Sequence, residues 1–168
     1  MKLSPTYKMQ FKRRHLGKTD YQKRLRLLTS KKPRLVVRRS LKYISAQIVQ
    51  FAKEGDKTLA TASSQELKKH GWKFACDNLP AAYLTGLIIG KKAKEKKISE
   101  VVLDSGLYTS TKGSRIYAVA KGAIDAGLKV PVGADVFPTE DRISGKHVAD
   151  KFKDLPAEFE KMKTSLKG

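Results

Sequence analysis

Fifteen of the chain's 36 lysine and arginine residues fall within the first 42 positions, where Asp20 is the only acid. That quarter of the sequence carries a net charge of +14, and such a density of unpaired cations cannot be folded into an apolar interior. Residues 43–168 hold 21 basic and 15 acidic side chains, a net of +6, so most of the core has to come from this longer part. The total of +20, with a pI near 10.1, marks a surface that attracts polyanions. Arginine, tyrosine and phenylalanine are interleaved among the N-terminal lysines. Arginine offers phosphate a planar donor fork and aromatic rings stack on unpaired bases, so the mixture favours RNA over a merely solubilising tail.

At 168 residues, with 40% hydrophobic and 31% charged side chains, the chain suits one globular domain with a real core. Its longest apolar run, Leu79 to Gly90, is too short to span a bilayer, so no membrane association is expected. The first ten residues lack the apolar core of a signal peptide, which predicts a cytoplasmic location. Cys76 is the only cysteine, and His15, His70 and His147 are scattered, so neither a metal site nor a redox role is expected. No cofactor and no small-molecule substrate are expected either.

Periodicity divides the chain into three parts. Residues 1–32 read as a basic arm followed by a short helix starting at Thr19 or Asp20, with Tyr21, Leu25 and Leu28 as its apolar stripe and Lys23, Arg24 and Arg26 facing outward. Residues 33–138 read as an α/β core. Leu35 to Val37 begins a strand, a turn follows near Ser40 to Lys42, Tyr43 to Phe51 forms a second strand, and Thr58 to Ser63 a third. A helix from Asn78 to Lys94 has Leu79, Ala82, Tyr83 and Leu87 on its inner face, broadened by Leu84 and Ile88. The lysines that crowd its end complement the helix dipole. Ile98 to Asp104 reads as a buried parallel strand, Ser114 to Ala126 as a helix closed by Gly127, and Val130 to Gly133 as a short fifth strand. Residues 139–168 form a helical tail in which Phe152, Leu155, Phe159, Met162 and Leu166 share a face. The order predicts a mixed sheet in a layered α/β domain.

Three motifs invite chemistry. The loop Thr109 to Arg115 brings hydroxyls, two cations and free N–H groups together at a helix start, which makes either an anion site or an ordinary capped helix. Gly86 and Gly90 before Lys91 have the wrong spacing for a phosphate-binding loop, and the pair is read as close helix-to-sheet packing. Trp72 and Cys76 are read as packing residues. The strand order is also that of ribonuclease H-like nucleases, which need clustered carboxylates to hold two metal ions about 3.5–4 Å apart. The first strand, Arg34 to Ser40, contains no acid. Asp104 alone among cations cannot assemble such a site, so a metal-dependent nuclease is the disfavoured alternative and no catalytic residue is expected. A general nucleic-acid chaperone is a third reading.

Gly17-Lys18-Thr19-Asp20-Tyr21, Lys23-Arg24-Leu25-Arg26-Leu27-Leu28, Pro33-Arg34-Leu35-Val36-Val37-Arg38, Pro80-Ala81-Ala82-Tyr83-Leu84-Thr85-Gly86-Leu87 and Ser110-Thr111-Lys112-Gly113-Ser114-Arg115 together resemble the archaeal form of universal large-subunit ribosomal protein eighteen, the counterpart of eukaryotic large-subunit protein five. The resemblance runs in order from about residue 10 to residue 150. It implies a ribonuclease H-like mixed sheet without catalytic function, in a structural protein of the large ribosomal subunit. The implied partners are 5S rRNA, the large-subunit rRNA, universal large-subunit protein five and other proteins of the central protuberance. On this reading the RNA-binding residues are Lys8, Lys12, Arg13, Arg14, His15, Lys18, Thr19, Tyr21, Lys23, Arg24 and Arg26 in the arm and helix. Arg38, Arg39, Ser40, Lys42 and Tyr43 join them at the hairpin, and Thr111, Lys112, Gly113, Ser114 and Arg115 at the loop. The sequence departs from the family at Leu41, where a turn-favouring asparagine is common, and at Ser105, where an apolar residue is usual.

Overall fold

The computed structural model of the chain describes residues 5–167. One helical turn, α1 (Lys12–His15), and a longer helix, α2 (Tyr21–Thr29), precede an antiparallel hairpin of β1 (Arg34–Arg39) and β2 (Ile44–Gln50). After β3 (Lys57–Ser63) come a single turn, α3 (Glu66–Lys69), and the long helix α4 (Leu79–Glu95). Next are β4 (Val102–Asp104), α5 (Arg115–Asp125), α6 (Glu140–Ser144) and α7 (Leu155–Lys167). The four strands form one mixed sheet in the order β3-β2-β1-β4, with β4 parallel to β1 and the other pairs antiparallel. The expected fifth strand shrinks to a single parallel bridge between Glu100 and Lys129, just ahead of the segment the apolar pattern had marked.

Period-two alternation assigns the two faces of the sheet. Leu35, Val37, Ile44, Ala46, Ile48, Ala60 and Ala62 are buried on the inner face, against the helices. Arg34, Val36, Arg38 and Asp104 share the outer face, which α2 covers in part. Asn78 caps α4 through its side chain, accepting from the Ala81 N–H at 2.9 Å, and Pro80 occupies the first turn, where its missing N–H costs nothing.

A one-sided stripe was expected of α4, yet every residue from Pro80 to Gly90 is buried, because the helix is the centre of the molecule, touched by β2, β3, α5, α6 and α7. The glycines explain how α5 comes so close. A Cβ on Gly86 would lie 2.2 Å from the Val119 carbonyl oxygen, and one on Gly122 2.1 Å from that of Tyr83. The expected helix-to-sheet contact at Gly86 and Gly90 is therefore a helix-to-helix contact. The tail follows its pattern in α7, where Leu155, Phe159 and Met162 are buried and Leu166 is partly so, while Phe152 lies outside the helix and is exposed. Trp72 and Cys76 are buried in the core.

Two stretches differ from expectation for clear reasons. No residue of α2 is buried, and Leu25 is 70% exposed, so the expected apolar stripe does not dock the helix. Polar bonds do. The hairpin turn needs no asparagine because Ser40 closes it: its hydroxyl donates to the Tyr43 carbonyl and accepts from the Tyr43 N–H, both at 3.0 Å, while Leu41 points into solvent.

Candidate nucleic-acid interface

The chain direction of the sheet gathers the candidate residues at one end. β1 and β4 are parallel, so their carboxyl ends, the hairpin turn, the loop of residues 105–114 and the N-termini of α4 and α5 all meet there. Open α/β sheets bind ligands in this crevice because helix N-termini and loops converge on it. Here the loop 105–114 separates two clefts, and its residues line both.

The first cleft lies between α2 and the outer face of the sheet, lined by Arg13, Lys18, Thr19, Asp20, Lys23, Arg24, Arg34 and Arg38. Asp20 caps α2, accepting from the N–H groups of Gln22 and Lys23 at 3.0 Å. Arg13 donates to the Thr19 hydroxyl at 2.9 Å, folding α1 back onto the start of α2. Lys23 and Arg24, expected to face outward, instead turn toward the body. The Lys23 ammonium donates to the Gly106 carbonyl at 2.7 Å and the Ser105 hydroxyl at 3.1 Å, and Arg24 pairs with Asp56 at 2.9 Å. These bonds hold α2 where apolar packing does not. Beneath them the nearly buried Arg34 bridges Asp56 at 2.6 Å and Asp104 at 2.7 Å, and Arg38 reaches the other oxygen of Asp104 at 3.2 Å.

This network bears on the nuclease alternative. Burial raises the Asp104 carboxyl, but the Gly106 N–H and the Arg38 and Arg34 guanidiniums outweigh it and hold the group below the ordinary carboxylate range. For Asp56 the largest effect is again burial, overcome by Arg24 and Arg34. Two carboxylates do approach one another, but a guanidinium stands between them and takes the lone pairs that a metal ion would need. Among the described residues no group of three or more His, Cys, Asp or Glu side chains is placed to hold a metal.

The second cleft is lined by Arg39, Asp77, Asn78, Tyr108, Thr111, Gly113, Ser114, Arg115 and Arg142. Arg39 lies over the Tyr108 ring at 5.1 Å, and the Tyr108 hydroxyl donates to the Arg39 carbonyl at 2.7 Å, so strand end and loop fix each other. Arg115 donates to the Asp77 carbonyl at 2.6 Å and pairs with its carboxylate at 3.1 Å. Gly113 has φ +69, which L side chains rarely adopt, and its N–H donates to the Val136 carbonyl at 2.9 Å. Ser114 occupies the cap position of α5 without capping it, and its hydroxyl oxygen is buried with no hydrogen-bond partner. The ordinary capped helix is thus not what forms. Lys112 is exposed and pairs with Asp135 at 3.0 Å, which pulls the Asp135 carboxyl down.

The remaining candidates spread outward from these clefts. Lys8, Lys12, His15, Arg26 and Lys42 are exposed and line neither cleft, and Arg14 is exposed beside Tyr21 and Leu107. Tyr21 packs against Phe11 with ring centroids 5.3 Å apart, and the Lys68 ammonium lies 5.8 Å from the Tyr43 ring centroid. Three participants escaped sequence reasoning. Arg142 comes from the helical tail, Tyr108 had no distinguishing neighbour, and Asp77 lies in a stretch to which the sequence assigned no role.

The family model described as ribosomal large subunit proteins 60S L5 and 50S L18 matches residues 5–100 and 91–133. The large ribosomal subunit protein uL18 of Korarchaeum cryptofilum (strain OPF8) is 52% identical over 149 residues, covering 89% of this chain and 76% of that protein.

Proposed function

Because the chain belongs to the family of large-subunit ribosomal proteins that includes 60S L5 and 50S L18, and is thereby a structural and non-enzymatic constituent of the cytoplasmic large ribosomal subunit, we propose that it grips 5S rRNA. The observation that carries this reading is the convergence at the carboxyl end of the sheet. Arg39, Arg115 and Arg142 come from a strand, a helix and the tail, yet line one cleft, and the arm cations Arg13 and Lys18 flank the other side of the same loop. Such a surface neutralises phosphates and follows the shape of a folded RNA.

On this reading residues 1–32 act as an RNA-binding arm, residues 33–138 as the body that presents the second contact, and residues 139–168 as a tail that supplies Arg142. The RNA-facing set is Lys8, Lys12, Arg13, Arg14, His15, Lys18, Thr19, Tyr21, Lys23, Arg24 and Arg26 in the arm and helix, Arg38, Arg39, Ser40, Lys42 and Tyr43 at the hairpin, and Thr111, Lys112, Gly113, Ser114 and Arg115 at the loop. Large-subunit rRNA and universal large-subunit protein five are the further partners. The strand order, three antiparallel strands and then a parallel fourth, supports a ribonuclease H-like ancestry with the carboxylate site replaced by the Arg34–Asp104 network.

The test is a gel-shift titration against 5S rRNA and a size-matched structured RNA at two salt concentrations. A grip on six to ten phosphates weakens by about 10³ to 10⁵ between roughly 50 and 200 mM salt. Preference for 5S rRNA, reduced by Arg13→Ala/Arg14→Ala and by Arg115→Ala, is expected. Equal binding to both RNAs would reduce the reading to a general nucleic-acid chaperone.

A further inference from the structure

A sheet of four strands has two edges, and in this chain they end differently. At one, β4 spans only three residues and its approach is already covered: the Val101 N–H donates to the Lys129 carbonyl at 3.0 Å and the Lys129 N–H to the Ser99 carbonyl at 2.9 Å. At the other, β3 runs for seven residues, and among the described residues no strand lies beyond it. From Thr58 to Ser64 that strand contains no charged residue, no proline and no glycine. An open edge of this length and composition is a template for pairing with a further strand, because its backbone groups are unpaired on one side.

The pairing with β2 fixes which groups face out. The Ser64 N–H donates to the Ile44 carbonyl at 2.9 Å, and Ala62 and Ala60 follow as partners of Ala46 and Ile48, so the alternate residues Leu59, Thr61 and Ser63 turn backbone groups to the open side. Side chains from two helices occupy that side. Lys92 in α4 donates to the Thr61 carbonyl at 2.8 Å, and Lys96, at the C-cap of the helix, donates to the Leu59 carbonyl. Glu66 in α3 accepts from the Ser63 N–H at 3.0 Å and pairs with Lys92 at 2.7 Å, so the three side chains line the strand in order. Compensation of the helix dipole accounts for cations at the end of α4, but it does not require them to reach across to strand carbonyls.

We propose that Lys92, Lys96 and Glu66 form a clasp that closes the β3 edge, and that the surface beneath it is a pairing site for β3 of a second copy of this chain. The strand is self-complementary. Two copies laid antiparallel about Thr61 set the Leu59 of each opposite the Ser63 of the other, and outward N–H and carbonyl groups then pair without moving any apolar side chain out of the core. To form that ladder both ammoniums must leave their carbonyls and Glu66 must leave the Ser63 N–H, so the closed clasp opposes association with charged hydrogen bonds, which are stronger than neutral ones. A net charge of +20 also keeps copies apart, but salt screens that long-range repulsion more than it weakens the half-buried pair of Lys92 and Glu66. The clasp therefore matters most where salt is high and no RNA is bound.

The experiment is sedimentation of the full chain, free of RNA and at high salt, over a range of protein concentrations. Wild type is compared with Lys92→Ala/Lys96→Ala and with Lys91→Ala/Lys94→Ala, which removes the same charge from exposed positions of the same helix. Alanine is the best helix former, so α4 is not weakened in either. Wild type and the Lys91/Lys94 control are expected to stay monomeric. The mass of Lys92→Ala/Lys96→Ala should rise with concentration toward twice the monomer value, and hydrogen exchange of the Thr61 amide should slow in step. Lys92→Arg/Lys96→Arg, which keeps both donors, should stay monomeric. A Lys92→Ala/Lys96→Ala chain that is monomeric at every concentration would overturn the proposal. So would equal association of the control, which would make net charge the cause, or association that leaves Thr61 exchange unchanged, which would place the contact elsewhere. A wild type already dimeric would remove the clasp. Should the double variant melt well below wild type, the single Lys92→Ala change decides by the same two readouts.

Discussion

Asparagine at position 104 probes how the outer face of the sheet is held. The Asp104 carboxylate accepts from Arg34 at 2.7 Å, from Arg38 at 3.2 Å and from the Gly106 N–H at 2.8 Å, and the Arg34 side chain is only 4% exposed. Asparagine keeps the size and one acceptor, but turns an N–H toward the guanidinium and removes the charge. Truncating one partner of a buried pair costs about 3–5 kcal/mol. Arg34 keeps Asp56 at 2.6 Å, so the low end applies and about 3 kcal/mol is expected, read by urea denaturation at neutral pH. Removing both charges, as Arg34→Met with Asp104→Leu, costs about 1 kcal/mol or less, because neither buried ion is left behind and Asp56 keeps Arg24 at 2.9 Å. The pH dependence gives a second signature. The folded pKa of Asp104 lies below its unfolded value, so its contribution is fully present above about pH 4 and is lost as the pH falls through the native value. The stability gap between wild type and Asp104→Asn should therefore hold from neutrality to about pH 4 and close below it. A cost under about 1 kcal/mol would mean that the network behaves as a solvated surface pair, and the reasoning would fail.

Three further outcomes follow from the same geometry. Gly122→Ala places a Cβ 2.1 Å from the Tyr83 carbonyl oxygen, and prying α5 from α4 should cost about 3 kcal/mol, a fall of roughly 6–12 °C in melting temperature; an unchanged melting curve would contradict the interlocked glycines. Asp20→Ala removes the cap of a helix with no buried residue, so about 1 kcal/mol is lost locally; hydrogen exchange should quicken in α2 while the global urea midpoint stays put. Arg142→Ala should weaken 5S rRNA binding several-fold and lower the salt slope by about one, without moving the melting temperature; no change in slope would remove Arg142 from the interface.

Elements whose signals are local were legible from sequence. Asn78 and Asp20 announced their helices because a cap needs only a side-chain oxygen at the right backbone angle, and Gly127 announced an ending because the left-handed closure favours glycine. The apolar runs Leu35 to Val37 and Tyr43 to Phe51 marked both hairpin strands, while their register comes from the structure alone. What depends on distant partners was not legible. The burial of α4 on all sides requires knowing that α7 returns to cover it, and the truncated fifth strand reflects a chain that leaves the sheet after one bridge. Among the candidate site residues, Lys23 and Arg24 looked like free cations because their acceptors, Gly106 and Asp56, are 83 and 32 positions away. Arg142 offered no signal, since the cleft that gives it meaning is assembled by three elements.

A net charge of +20 does not mean twenty equivalent cations, and the fold sorts them by what their neighbours demand. Arg34 is structural, nearly buried between two carboxylates, and its substitution belongs to stability. Lys23 and Arg24 are latches, whose bonds to a carbonyl, a hydroxyl and a partly exposed carboxylate hold α2 in place of an apolar face. On the proposed RNA grip, phosphates would offer Lys23 a stronger acceptor than its backbone carbonyl does, so docking of α2 and contact with RNA would compete for the same donor. A latch of this composition weakens with salt, as RNA binding does, whereas the apolar α4–α5 contact does not. On that proposal the arm is the part of the molecule that would reorganise on RNA, and the body beneath it would keep the second cleft in shape while it did so.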